Sequence, residues 1–307
     1  MKILITGGAG FIGSHLVDAL IKRKHKLIVV DNLSSGLKEN LNPKAKFYYL
    51  DIRSKKLDNV FQKERPEIVF HCAAQINLRK SIAHPLKDAR INILGSLNLL
   101  ENCRKYKIKK FIFSSTGGAI YGDTKNIPTP EDFPANPPSP YGIAKLTIEK
   151  YLHYYYQVFG LPYFSLRYSN VYGPRQNPKN EAGVIAIFSE KILKGEQIVI
   201  NGDGRQTRDY VYIDDVVRAN LLALRRKGVG VFNIGTEKET SVREIFKMLK
   251  KITQTKIKAI YGPPIKGEQR RSCLAIKKAK RELGWSPKVR LDDGLKKTVQ
   301  WFKKKIK

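Results

Sequence analysis

The chain has 307 residues, with 58 lysines and arginines against 27 aspartates and glutamates and a formal net charge of +31. That length is enough for one large domain or two closely packed ones. No apolar stretch is long enough for a membrane span, and Met1 leads directly into a predicted strand, so we expect neither a span nor a signal peptide. The cysteines and histidines lack metal-ligand spacing, so we expect no metal, and the three cysteines favour a reducing cytoplasm.

The positive charge is compatible with nucleic-acid binding, but its distribution favours another interpretation. Lysines and arginines are dispersed along the chain, and no aromatic-rich nucleic-acid motif accompanies them. We therefore expect a solvated, Lys-rich surface that attracts anionic substrates. Nucleic acid should bind only nonspecifically and at low salt.

The first predicted element is a strand over residues 2–6, followed by apolar residues at helical spacing. Between strand and helix, Gly7, Gly10 and Gly13 form a G-x-x-G-x-x-G turn. Gly7 permits the tight turn, Gly10 lets the backbone approach a pyrophosphate, and Gly13 lets the helix pack on the strand. The helix N-terminus then offers N–H groups and a partial positive charge to phosphates.

The second predicted strand, residues 26–31, ends in a carboxylate. Asp31 follows the turn by about twenty residues, where an acid can bind both hydroxyls of an adenosine ribose. Because an anion there repels a 2′-phosphate, the sequence favours NAD over NADP. The alternative is a glycine loop of some other α/β protein, with Asp31 capping a turn or helix. The order of strand, turn, helix and acid favours the cofactor.

Further strands are predicted at residues 46–50, 67–72 and 110–115. The last of these ends in hydroxyls, which in a doubly wound sheet face the cofactor crevice. Thr116 is the candidate hydrogen-bond partner of a sugar hydroxyl, and Ser115 is the alternative donor. Ordinary turn chemistry also explains serine, threonine and glycine here.

The Tyr-x-x-x-Lys pattern occurs three times, at residues 106–110, 121–125 and 141–145. Only Tyr141 is followed by a sustained helical pattern, so it shares a helix face with Lys145. A phenol titrates near pH 10, and lowering its pKa by about three units requires roughly 4 kcal/mol. A nearby ammonium and the positive charge of a nicotinamide both favour the phenolate. Tyr141 is therefore the candidate base; a surface tyrosine beside a solvated lysine is the alternative.

Strands and helices alternate through a sixth strand at 162–167, which predicts a Rossmann-type doubly wound parallel sheet of the α/β class. We expect a NAD-binding domain over residues 1–168, to which residues 211–234 return. Residues 169–210 and 235–307 would form a smaller C-terminal substrate-binding lobe. The crevice between the two should hold the substrate.

Ordered motifs over nearly the whole chain carry a family resemblance. They are Thr6 to Gly13, Asp31 to Gly36, Asp51-Ile52, His71 to Gln75, Ser81 with Pro85, Asn92, Ser115 to Gly122, Tyr141 to Lys145, Arg167 to Arg175, and Gly202 to Val211. With these motifs the chain resembles the extended short-chain dehydrogenase/reductase family, and within it the NAD-dependent epimerases and dehydratases. It looks most like the UDP-glucose 4-epimerases.

The resemblance implies site residues. Asp51 and Ile52 would hold the adenine, and Ala73 and Ala74 would leave space beside the cofactor. Other implied cofactor contacts are Gly7, Gly10, Phe11, Ile12, Gly13, Asp31, Asn32, Ser35, Gly36, Gln75, Asn92, Ser114, Tyr141, Lys145 and Tyr168. Implied substrate contacts are Thr116, Gly117, Tyr141, Asn170, Arg208, Glu268 and Arg270.

The implied reaction is transient oxidation of a nucleotide sugar at C4. Tyr141 would take the proton of the 4-hydroxyl, with Lys145 as its partner and Thr116 bridging the hydroxyl, while NAD takes the hydride. The 4-keto sugar would then turn over and receive the hydride on its other face. Related 4,6-dehydratases typically carry Asp-Glu after the threonine. Gly117 and Gly118 stand there in this chain, which disfavours dehydration and leaves room for the sugar to rotate.

Two positions depart from the family pattern. Ile265 replaces an arginine expected near the diphosphate, for which Lys266, Arg270 or Arg271 would compensate, and Ala275 replaces an aspartate. These changes leave the nucleotide and the sugar open, and UDP-GlcNAc and UDP-glucuronate are alternative substrates. The sequence is also compatible with a nucleotide-sugar decarboxylase or reductase and with a non-enzymatic NAD-binding sensor. An intact base argues against the sensor.

The helices predicted near 88–105 and 141–159 carry more large apolar residues than one sheet face needs. In related proteins two such helices pair across a twofold axis into a four-helix bundle, so a homodimer is expected by analogy. The alternative is that all these residues face the core of their own chain.

Overall fold

The computed structural model describes residues 1–179, 183–264 and 269–306. The strands are β1 (Lys2–Thr6), β2 (Lys26–Asp31), β3 (Lys46–Tyr49), β4 (Ile68–His71), β5 (Lys110–Thr116), β6 (Tyr163–Tyr168), β7 (Asn170–Tyr172), β8 (Val199–Asn201), β9 (Thr207–Tyr212), β10 (Gly230–Ile234), β11 (Glu239–Ser241), β12 (Ile260–Gly262) and β13 (Arg271–Ser272). The helices are α1 (Phe11–Ile21), α2 (Leu57–Glu64), α3 (Leu78–Ala83), α4 (Pro85–Ala89), α5 (Gly95–Lys105), α6 (Gly117–Ile120), α7 (Pro140–Phe159), α8 (Val184–Leu193), α9 (Ile213–Arg225), α10 (Val242–Thr253) and α11 (Leu291–Ile306).

The central sheet has seven parallel strands in the order β10-β6-β5-β4-β1-β2-β3. Strands β1 to β6 coincide with the predicted strands to within one residue at each end. The predicted fold class is confirmed. From β1 the chain builds outward through β2 and β3, then crosses back to place β4 on the other side of β1. The strand order therefore reverses between β1 and β4, which opens a crevice at their carboxyl ends.

Strands β1, β2, β4, β5 and β6 are largely buried on both faces, whereas the edge strand β3 is partly exposed. Burial on both faces explains why the central strands read as continuous apolar runs. Side chains alternate: Ile3 and Ile5 belong to the hydrophobic cluster that includes residues of α1 and α9, whereas Leu4 belongs to the cluster that includes residues of α2, α5 and α7. Residues one apart along a strand thus belong to different cores.

The second lobe is built on small sheets. Strand β9 pairs with β7, β11 and β13, and β8 pairs with β12. Between these segments the chain returns to the central sheet, because β10 pairs in parallel with β6 and aligns Ile234 with Tyr168. After β10, β11 and β13 pair with β9 and β12 pairs with β8, while the fully buried Trp285 donates to the Asp215 carbonyl on α9 at 2.9 Å.

The helix predicted over 88–105 is interrupted. A π-helical turn, Arg90–Leu94, separates α4 from α5. It holds the buried Asn92, whose side chain hydrogen-bonds the backbone of Gln75 in both directions. Such turns mark places where a helix adjusts to a tertiary contact.

Within the described ranges, none of the helices combines the length and apolarity needed to cross a membrane. The same residues contain no group of three or more His, Cys, Asp or Glu that could hold a metal ion. Cys72, Cys103 and Cys273 are free thiols.

Candidate active site

A cleft of ≈ 480 Å³ lies at the carboxyl ends of β1, β2 and β4. Its volume is in the range of sites for small organic ligands. Thirteen of the residues expected to contact the cofactor line it: Gly7, Gly10, Phe11, Ile12, Gly13, Asp31, Asn32, Ser35, Asp51, Ile52, Ala73, Ala74 and Gln75.

The glycine turn allows no side chains at its two ends. Gly7 has φ of +71°, and a Cβ there would lie 2.6 Å from the backbone nitrogen of Ala73. A Cβ on Gly13 would lie 2.1 Å from the carbonyl oxygen of Gly7. Gly10 precedes α1 and contributes no side-chain cap. The N-terminus of α1 therefore lies at the cleft without a side-chain cap over its backbone N–H groups, as a phosphate-binding turn requires.

Asp31 acts within the protein as well as toward the cleft. Its Oδ2 accepts a hydrogen bond from the Ala9 N–H at 2.9 Å, and its Oδ1 accepts one from the Leu33 N–H at 2.8 Å. Burial raises the pKa of Asp31, and these two donors oppose the rise. Asp31 therefore does cap a turn, as the alternative interpretation expected. Its carboxylate has further lone pairs that can accept hydrogen bonds from ribose hydroxyls.

The far end of the cleft is organised by Asp51. Arg53 binds it in a bidentate ion pair at 2.8–2.9 Å, and the Asn32 amide donates to it at 2.7 Å. Hydrogen bonding from Arg53 lowers the pKa of Asp51 to about 2. Ile52 packs against Gly95, and Gly36 lies under Ala9 instead of lining the cleft.

Helix α7 carries Tyr141 and Lys145. It begins at Pro140, and its N-cap Ser139 accepts a hydrogen bond from the Gly142 N–H at 3.2 Å. The buried Lys145 Nζ donates to the Ser114 carbonyl at 2.7 Å and lies 5.8 Å from the centre of the Tyr141 ring. Burial lowers the pKa of Lys145 to about 8. The side chain therefore remains mostly an ammonium at pH 7, beside the phenol it is expected to influence.

The hydroxyls at the end of β5 have different environments. Thr116 is half-buried, and its Oγ1 and the Asn170 Oδ1 lie 4.0 and 3.7 Å from a Cβ built on Gly118. The side chains of Thr116 and Asn170 therefore lie next to the same open space beside Gly118. A Cβ on Gly117 would instead lie 2.4 Å from Leu274, so of the two glycines only Gly118 leaves open space.

Ser115 does not reach the crevice, which corrects its assignment as the alternative donor. Its hydroxyl donates to the buried Glu149 Oε1 at 2.6 Å, because adjacent strand residues point to opposite faces. Ser114 and Tyr168 do not line the cleft; their hydroxyls lie 3.4 Å apart, and Tyr168 also bonds Asn220.

The expected substrate contacts in the second lobe are only partly located. The half-buried Arg208 lies on β9 and donates to the Thr207 carbonyl at 2.8 Å. Arg270 forms a bidentate pair with Asp203, and both side chains are about half exposed. Arg270 is thus held in a surface ion pair, which the sequence did not predict. Glu268 and Ile265 lie outside the described residues.

Several cleft residues were missed by sequence reasoning. Arg53, Asn77, Lys80, Lys87 and Asp88 line the cleft together with the predicted residues. Arg53 and Asn77 follow the ends of predicted strands closely, which was the one available signal. No spacing or residue pattern distinguishes Lys80, Lys87 and Asp88 from other charged residues.

Comparison with known proteins agrees with this geometry. Residues 3–235 match the NAD-dependent epimerase/dehydratase family model. A putative UDP-glucose 4-epimerase of Methanocaldococcus jannaschii is 51% identical over 98% of both chains. The structure of Thermotoga maritima UDP-glucose 4-epimerase with UDP-glucose has 55% identity, a TM-score of 0.99 and full coverage of both chains. The Thermus thermophilus enzyme, solved with NAD, has 42% identity and a TM-score of 0.95, over 98% of this chain and 99% of that one. The chain therefore belongs to the NAD-dependent epimerase/dehydratase family.

Proposed function

We propose that this protein is an isomerase that catalyses the NAD-dependent 4-epimerisation of a nucleotide sugar, with UDP-glucose and UDP-galactose as its substrates. The observation that carries this is the buried Lys145 ammonium beside Tyr141, on helix α7, which packs against the helices α3 and α4 that flank the cleft. Full-length similarity to UDP-glucose 4-epimerases supports the choice of sugar.

The residues of the cleft fit a dinucleotide. The bare N-terminus of α1 would bind the pyrophosphate, Asp31 the adenosine ribose, and Asp51 with Ile52 the adenine. When bound, NAD supplies a reversible hydride acceptor. The anionic Asp31 supports NAD over NADP, because a 2′-phosphate would meet a buried carboxylate.

The proton chemistry is assigned to three side chains. Tyr141 as phenolate removes the proton from the sugar 4-hydroxyl and returns it after the sugar has turned over. Lys145 stabilises the phenolate, since a cation nearby lowers the pKa of a phenol. Thr116 holds the 4-hydroxyl, and Asn170 and Arg208 bind toward the diphosphate. In this proposal residues 1–168, with the return of 211–234, bind NAD, and the rest of the chain binds the nucleotide sugar.

The test is turnover without added cofactor. Purified protein is incubated with UDP-galactose, and UDP-glucose is followed by coupled assay or NMR. Conversion without added NAD is expected, because hydride return regenerates the cofactor in each cycle. UDP-GlcNAc and UDP-glucuronate are run in parallel. If none of the three is converted even with NAD added, the proposed reaction is wrong.

We also infer a homodimer formed through α7. The helix exposes large apolar side chains in spite of its buried face: Ile143, Tyr151, Tyr154, Val158 and Phe159. Val158 is 57% exposed and Tyr154 is 48% exposed. Exposed apolar patches of this kind commonly mark interfaces. The molar mass in solution should be that of two chains, and Val158→Glu should reduce it to one. A monomeric unaltered protein contradicts the inference.

The free thiols fit a cytoplasmic enzyme.

A further inference from the structure

Asp88 is a buried carboxylate that the proposed chemistry has not used. It lies on α4, is 1% exposed and lines the cleft. Its Oδ1 accepts hydrogen bonds from the Gln75 Nε2 at 3.0 Å and the Asn92 Nδ2 at 3.1 Å. Its Oδ2 is buried and accepts no hydrogen bond from the residues that the structure describes. Burying a charged oxygen without a donor is costly, so a role for that charge is expected.

The other two carboxylates of the cleft differ from Asp88. Both oxygens of Asp31 accept backbone N–H donors, and both oxygens of Asp51 are bound by Arg53 or Asn32. Among the aspartates that line the cleft in the described part of the chain, Asp88 alone has an oxygen without a hydrogen-bond donor. Part of its negative charge is therefore not balanced by a hydrogen bond.

Helix α4, which carries Asp88, packs against α7, which carries the buried Lys145. Burial lowers the pKa of Lys145, and the charges that oppose this are Cys72, Asp88 and Glu149. Burial also keeps Cys72 a thiol by raising its pKa. Glu149 is already engaged by the guanidinium of Arg167, at 2.6 Å. That leaves Asp88 as the counter-charge of the ammonium.

The remaining groups around Lys145 do not replace Asp88. His71 is neutral, since burial lowers its pKa to about 3, and Tyr141 is the proposed base. The charged or titratable side chains on α3, α4 and the following turn are mostly cationic and exposed: Arg79, Lys80, His84, Lys87 and Arg90. Each of these cations, when charged, disfavours the ammonium instead of stabilising it.

We propose that Asp88 is a positioning residue for the proton-transfer pair: its carboxylate anchors the Gln75 loop through Oδ1 and supplies the negative charge that keeps Lys145 an ammonium beside Tyr141. The inference rests on the proposed function, in which Lys145 must be charged when Tyr141 acts as base. Asp88 acts through Lys145 and is assigned no contact with the substrate.

The experiment compares Asp88→Asn, which preserves shape and one acceptor oxygen but removes the charge, with Asp88→Glu, which preserves the charge. Glu190→Gln, on the surface helix α8, is the control for net charge. The pH profile of kcat, the amount of bound NAD and the melting temperature are measured for each. In Asp88→Asn the alkaline limb should move to lower pH by roughly half a unit to one unit. Asp88→Glu and Glu190→Gln should keep it in place.

A second measurement does not depend on turnover. The phenolate of Tyr141 is titrated by its ultraviolet absorbance, as the difference from Tyr141→Phe. Because Asp88→Asn lets Lys145 lose its proton at lower pH, the phenolate should lose its stabilising ammonium and form at higher pH. A lower kcat with both titrations unmoved would show that Asp88 is only structural, and would overturn the inference. If the unaltered protein converts no sugar, the proposed function fails while the phenolate titration still tests Asp88.

Discussion

A methyl group added at Gly117 and one added at Gly118 meet different surroundings, although the residues are adjacent. At Gly117 the new Cβ would lie 2.4 and 2.7 Å from the two terminal carbons of Leu274. Leu274 is 1% exposed and its N–H donates to Asp209, so it has little room to move. At Gly118 the closest atoms are 3.7 and 4.0 Å away, which is ordinary contact.

The two substitutions share the gain from replacing a helical glycine, about 0.5–1 kcal/mol. The difference between the two variants in the free energy of unfolding therefore isolates the cost of overpacking against Leu274, which we expect to be about 1–3 kcal/mol. Gly117→Ala should be the less stable variant by that amount in the free energy of unfolding, measured by urea denaturation. Gly118→Ala should be as stable as the unaltered protein or slightly more stable.

Activity provides the complementary measurement. The methyl group of Gly118→Ala enters the space between Thr116 and Asn170, so sugar turnover should fall without loss of stability. Combining Gly117→Ala with Leu274→Ala should cost less than the sum of the single changes, because the clash is relieved. Equal stabilities of the two alanine variants would refute the packing argument. Full activity of Gly118→Ala would show that the sugar does not use this space.

Three other predictions address the base, the cofactor and the buried histidine. Tyr141→Phe should abolish turnover but retain bound NAD, and full activity in that variant would exclude Tyr141 as the base. Asp31→Asn should reduce the preference for NAD over NADP in equilibrium binding, because it removes the anion; an unchanged ratio would contradict the role of Asp31. Burial lowers the pKa of His71 from 6.5 to about 3, so the unfolded state binds more protons between those values. The free energy of unfolding should therefore fall as pH falls through that window, and His71→Gln should flatten the slope; equal slopes in both proteins would be evidence against the assignment.

Local patterns in the sequence were sufficient to predict the sheet and many of the residues that line the cleft. A parallel strand buried on both faces needs a short apolar run, and such runs located β1 to β6 to within one residue at each end. The glycine turn was readable because Gly7 and Gly13 have steric requirements set by their immediate neighbours. Tyr141 was separated from two similar patterns by the helix that follows it.

The tertiary structure alone decided which polar groups became partners. Thr116 is near Asn170 while Ser115 faces Glu149, and Arg270 pairs with Asp203 at a separation of 67 residues. The closure of Gly117 by Leu274 likewise depends on segments far apart in the chain. Strand and turn propensities act over a few neighbouring residues and can be read locally. Hydrogen-bond partners and free volume arise only when distant segments pack, so they appear only in the folded chain.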